Sequence, residues 1–122
     1  MNFNEYQAKS KKTIQQYNAD KTANIVITYL GLIGEAGSVV SELKKKLRDG
    51  DSYSNFKNKL KEELGDVLWY IAAIASQNNL SLDEIANENI VKTLDRFSDE
   101  VNGNFTDYDE GYPDNEKLPD EF

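Results

Sequence analysis

The sequence predicts an all-α fold, and three observations carry that expectation. Apolar residues recur every three or four positions through two long segments, about 23–48 and 55–77, the period that lays them along one side of a helix. Turn and capping signals bound those segments at Asp49-Gly50-Asp51-Ser52 and at Asn78-Asn79-Leu80-Ser81. No strand-like alternation persists for more than a few residues. The expected architecture is a four-helix antiparallel bundle-type subunit over residues 1–102, followed by an irregular acidic tail over 103–122.

The 122 residues suit one domain whose core is small enough for subunit association to matter. A balance of 14 Lys+Arg against 22 Asp+Glu, net charge -8, argues against a nucleic-acid binder, which needs excess basic groups for phosphate. A small phosphorylated substrate is not excluded, because a metal ion and a few lysines can supply local positive charge. With no cysteine there is neither a disulfide framework nor a thiolate metal site. With no histidine, the commonest general base, the usual zinc ligand and any Ser-His triad are gone too. Any catalysis must run on carboxylates, Lys/Arg, hydroxyls or a metal. Met1-Asn2-Phe3-Asn4-Glu5 lacks the basic-then-apolar order of a signal peptide, and no apolar run is expected to span a membrane. The expectation is a cytoplasmic protein without membrane or nucleic-acid partners.

The elements follow in order. Asn4 can cap a first helix to about Tyr17, with Ala8, Ile14 and Tyr17 facing inward and Lys9, Lys11 and Lys12 on a solvated face. A second helix, near Ala23 to Arg48, carries Ile25, Tyr29, Leu32, Ile33, Val39, Val40, Leu43 and Leu47 as a broad apolar stripe. Gly31, Gly34 and Gly37 interrupt it, each at a cost of about 1 kcal/mol relative to Ala. They allow close helix approach, a kink, or room for a ligand. Lys44-Lys45-Lys46 and Arg48 either complement the negative helix end or hold phosphate.

The third helix runs from Ser54 or Asn55 to Gln77, and its nearly uncharged stretch Val67–Ala75 suggests burial on several sides. Ser81 and Glu84 have the spacing of a capping box for a fourth helix with Leu82, Ile85, Ile90, Leu94 and Phe97 inward. Asn89, Lys92 and Arg96 share one of its sides. In the tail, Phe105, Tyr108 and Tyr112 are candidate anchors. Asp107-Tyr108-Asp109-Glu110-Gly111 fails as a calcium loop, because its glycine comes one position early and the distal Glu is missing.

Chemistry concentrates at Glu63-Leu64-Gly65-Asp66 and Gly34-Glu35-Ala36-Gly37. Glu63 and Asp66 project from one face of a helix, and Glu35, Ser38 and Glu42 line one side of another. Carboxylates set in apolar sequence are costly to bury unless something pairs with them. Two such helices side by side would gather at least three carboxylates, which repel unless a hard cation such as Mg2+ or Mn2+ neutralises them. Glu62 or Glu42 is then the candidate to orient or deprotonate a water. Lys92, Arg96 and the basic end of the second helix, Lys45 among it, are candidates for outer phosphates.

Three blocks together carry a resemblance: Gly31-Leu32-Ile33-Gly34-Glu35-Ala36-Gly37, then Glu62-Glu63-Leu64-Gly65-Asp66-Val67-Leu68-Trp69-Tyr70, then Asn89, Lys92 and Arg96. Over residues 24–97 the chain resembles the MazG-like group of all-alpha nucleoside triphosphate pyrophosphohydrolases. The resemblance implies a helical homodimer or homotetramer and Mg2+-dependent cleavage of a nucleoside triphosphate between the α and β phosphates. It implies Glu35, Glu63 and Asp66 as metal ligands and Asn89, Lys92 and Arg96 as substrate-binding residues. Trp69 and Tyr70 would pack against the base or serve as core or interface aromatics. The second Glu of the family's first ExxE falls at Ser38, a departure. Such a site holds fewer ions, recruits Glu42, or belongs to a subgroup that uses serine there. Alternatives are a dUTP/dCTP-type or phosphoribosyl-ATP pyrophosphatase, or a nucleotide-binding or interaction module with a degenerate metal site.

Overall fold

A computed structural model describes residues 1–101. It contains α1 (Phe3–Lys11), α2 (Lys21–Asp49), α3 (Phe56–Gln77) and α4 (Leu82–Val101), with a 3-10 turn at Gly50–Ser52, and no strand among the described residues. The all-α expectation is met. The expected acidic tail, with Phe105, Tyr108, Tyr112 and the rejected calcium loop, lies outside the described residues.

The first helix is shorter than its sequence suggests, for local reasons. Asn2, not Asn4, is the cap: its side chain accepts from the Glu5 amide at 2.9 Å, and Glu5 accepts from the Asn2 amide at 3.1 Å, a reciprocal capping box. At the other end the Thr13 hydroxyl donates to the Ser10 carbonyl at 2.7 Å, competing with helix propagation as β-hydroxy side chains do. The inward face changes accordingly. Ser10 is buried and Tyr6 and Gln7 half-buried, Ile14 is half-buried as expected, but Ala8 and Tyr17 are exposed.

α2 and α3 form an antiparallel hairpin. The Thr28 hydroxyl meets Gln77 at 2.7 Å near one end, Gly31 faces the Tyr70 ring, and Tyr53 bonds Glu42 at the other end. Gly50, at a φ of 58°, ends α2 in a backbone region that suits glycine. α3 is the central element, packed against both α2 and α1. Its Ala72 and Ala73 are fully covered, and Ala75, Phe56 and Leu82 join them in the core. Of the three glycines in α2, only Gly31 serves close approach: a Cβ there would fall 2.1 Å from Tyr70, whereas Gly34 and Gly37 face open space.

The apolar stripe of α2 is divided. Leu32, Val39 and Leu43 turn partly inward, while Val26, Ile33, Val40 and Leu47 recur every seven residues and stay exposed, Ile33 at 70%. One sequence expectation is corrected here: the region Lys21–Ser52 is long and apolar enough, by length and composition alone, to cross a membrane. Tyr, Thr, Ser and Gly between the aliphatic residues had disguised that run.

The described residues divide into two units, Met1–Asp83 and those from Glu84 onward. Within the second, α4 continues as an amphipathic helix with Ile85, Ile90, Val91 and Leu94 exposed.

Candidate functional site

The α2–α3 hairpin brings Glu35, Glu63 and Asp66 together, with one carboxylate oxygen of each within 4.8 Å of the others. Antiparallel packing produces this meeting: Glu35 sits one helical turn beyond the Gly31–Tyr70 approach on α2, and Asp66 and Glu63 sit one and two turns before Tyr70 on α3. Glu35 and Glu63 are half-buried and Asp66 is exposed, so the group has a protein side and an open side. Burial pushes the Glu35 carboxyl above its usual range, and the Asp66 and Glu63 carboxylates push it further. Three hard oxygen donors in mutual repulsion, open on one side, match what a hard divalent cation requires.

Ser38 does not extend the acidic group. Its hydroxyl donates back to the Gly34 carbonyl at 3.3 Å. Glu42, two turns along α2 from Glu35, is buried and accepts from Lys45 at 2.9 Å and from the Tyr53 phenol. Those two bonds hold its carboxyl below the usual range, while Tyr53 is pushed up to about 12 by its bond to Glu42. Lys45 is correspondingly engaged by Glu42. Glu62 is exposed and paired with Lys59 at 3.0 Å. Tyr53 and Lys59 carried no motif, and only the returning chain reveals their roles. Tyr6 is a further neighbour: burial and then the Asp66 charge raise its pKa.

Trp69 and Tyr70 meet edge to face with ring centroids 5.0 Å apart. The Trp69 indole N–H donates to Thr13 at 2.8 Å. Both rings line a cavity of about 270 Å3 whose other walls include Tyr17, Asn24, Thr28 and Gln77. Gln15 and Gln16 reach the same cavity from the α1–α2 connection, a role with no signal in helical periodicity. Asn89, Lys92 and Arg96 lie on α4, exposed, within the second unit.

A family model described as the MazG nucleotide pyrophosphohydrolase domain matches residues 26–99. The chain is also similar to the Gene 37 protein of Mycobacterium phage L5, 36% identical over 81 residues that make up 65% of this chain and 71% of that protein. No solved structure matches the chain.

Proposed function

The chain belongs to the MazG nucleotide pyrophosphohydrolase family, and from that premise we propose that it is a Mg2+-dependent nucleoside triphosphate pyrophosphohydrolase. It hydrolyses the bond between the α and β phosphates, with water adding to phosphorus and the products being a nucleoside monophosphate and pyrophosphate. The observation that carries this reading is the approach of Glu35, Glu63 and Asp66 to within 4.8 Å.

Glu35, Glu63 and Asp66 would hold Mg2+, with Mn2+ as a substitute of similar preference. When bound, that ion neutralises charge developing on the phosphates. Glu62 is the more available of the two candidate bases. Its pair with Lys59 is exposed, and such pairs open at a cost of under about 1 kcal/mol. Glu42 is committed to Tyr53 and Lys45, which leaves it a structural acid. Lys92 and Arg96 bind phosphate oxygens, Asn89 donates to the sugar or phosphate, and the nucleobase lies against Trp69 in the cavity beside it. Lys45 is already paired with Glu42, which leaves two of its three N–H donors for phosphate.

The exposed seven-residue repeat of Val26, Ile33, Val40 and Leu47 supports a homodimer or homotetramer, since a second copy covers such a seam as helices do in bundles. The test is incubation of pure protein with a panel of ribo- and deoxynucleotides and Mg2+, followed by pyrophosphate assay. Turnover is expected, and Glu63→Gln, Asp66→Asn and Glu62→Gln should each reduce it by about a hundredfold or more. Mg2+-nucleotide binding without turnover of any substrate would favour the binding-module reading, for which Ser38 is the motivating residue.

A further inference from the structure

α3 ends in a closed turn that leaves the Leu80 carbonyl and the Leu82 amide to a partner outside it. Asn79, with φ at 55°, occupies the left-handed position. The Asn79 amide donates to the Ser76 carbonyl at 3.3 Å and the Leu80 amide to the Ala75 carbonyl at 2.9 Å. That pair of bonds is the Schellman pattern, which satisfies the last carbonyls of a helix. It makes no use of the Leu80 carbonyl or of the Leu82 amide, one of the first N–H groups of α4 that no helical carbonyl can reach. Gln7, on α1, takes both. Its side-chain N–H donates to the Leu80 carbonyl at 2.8 Å and to Ser76 Oγ at 3.2 Å, and its side-chain oxygen accepts from the Leu82 amide at 2.8 Å. A primary amide offers N–H donors and a carbonyl acceptor on separate atoms, as a peptide group does. The Leu82 side chain, 4% exposed, is buried at the same point.

We infer that Gln7 is a positioning residue: by bonding the Leu80 carbonyl and the Leu82 amide it latches the α3–α4 turn and fixes the origin of α4 for nucleotide binding. The inference rests on the proposed function for its enzymatic consequence, because α4 carries Asn89, Lys92 and Arg96. It also extends the working part of the chain, since Gln7 lies outside the family match of residues 26–99. Loss of the latch releases the turn locally and leaves the carboxylates of α2 and α3 in place, so substrate affinity suffers and the chemical step does not.

The full chain and its Gln7→Ala and Gln7→Glu variants test this by amide hydrogen exchange and by steady-state kinetics. In Gln7→Ala the Leu82 amide should exchange about tenfold faster, the equivalent of one lost hydrogen bond, while Ala72 and Ala73 keep wild-type protection. KM should rise several-fold with kcat within about twofold, the signature of lost binding without lost chemistry. Gln7→Glu keeps the acceptor and loses the donors, so it should fall between wild type and Gln7→Ala in both measurements, and it carries the comparison if Gln7→Ala does not fold. Unchanged exchange at Leu82, or faster exchange with unchanged KM, overturns the inference. A wild-type protein that hydrolyses no nucleotide defeats the proposed function instead, and the exchange measurement still decides whether the latch exists.

Discussion

Glu35 and Glu42 stand two turns apart on the same side of α2, and their surroundings are opposite. Glu42 meets a phenol and an ammonium, which donate to it and hold its carboxyl below the usual range. Glu35 meets two more carboxylates, which add to burial in raising its own. One acid is satisfied by the chain; the other faces like charge. The difference arises because α3 presents Glu63 and Asp66 at one level of the hairpin, while the turn into α3 presents Tyr53 at another. An acidic residue on an apolar helix is therefore not a site in itself. What faces it decides whether it stabilises the fold or stores repulsion for a ligand to relieve.

Replacing Glu35 breaks the comparison most sharply. Glu35→Gln should cut pyrophosphate release on the order of a hundredfold while raising the metal-free Tm, because it removes repulsion. Mg2+ should raise the Tm of the wild type and not that of Glu35→Gln, measured by calorimetry with and without the ion. Gly31→Ala is the next largest. Its Cβ would fall 2.1 Å from the Tyr70 ring, and forcing the hairpin apart should cost about 1–3 kcal/mol in chemical denaturation. Since both acids depend on the spacing of α2 and α3, this variant should weaken Mg2+ binding as well.

Glu42→Gln should have the smallest effect on function and act on stability alone, lowering Tm by several degrees with turnover nearly intact. Its pH dependence sharpens the contrast. A carboxyl held below its ordinary value of 4.5 contributes stability that is present above that value and lost as pH falls through its folded-state value. Glu35, raised above 4.5, contributes the reverse: no penalty at low pH, and a penalty that appears as pH rises through its elevated value. Metal-free Tm measured against pH should therefore fall less steeply into acid for Glu42→Gln than for wild type, and more steeply for Glu35→Gln.

Helix existence was legible because period and punctuation repeat over many residues. The Asp49–Ser52 turn and the Asn78–Leu80 break emerged where the local signals lay. The first helix was misjudged at both ends, since Asn2 and Asn4 are equally good caps by type, each with a Glu or Gln three residues on, and only the tertiary structure draws Gln7 away to Leu80 and Leu82. Its inward face went with that misjudgement. The three-carboxylate group could be anticipated because Glu35, Glu63 and Asp66 each sit in apolar helical sequence. Glu42 sits in similar sequence, and its pairing with Tyr53 was not legible, because Tyr53 lies in a connection whose path is set by the Gly50 backbone and the packing of Phe56.

By itself the sequence determined that the described chain would be helical, that histidine and thiolate chemistry were unavailable, and that acidic residues would lie on the apolar sides of two helices. These are properties of residue type and of local period, and they need no knowledge of what touches what. Tertiary structure alone decided which acids meet, that Gly31 rather than Gly34 or Gly37 admits a neighbouring ring, and that Gln7 bonds to a turn some seventy residues away. Each of those depends on the register of one helix against another. Register is fixed by the summed packing of many side chains, and no single residue announces it.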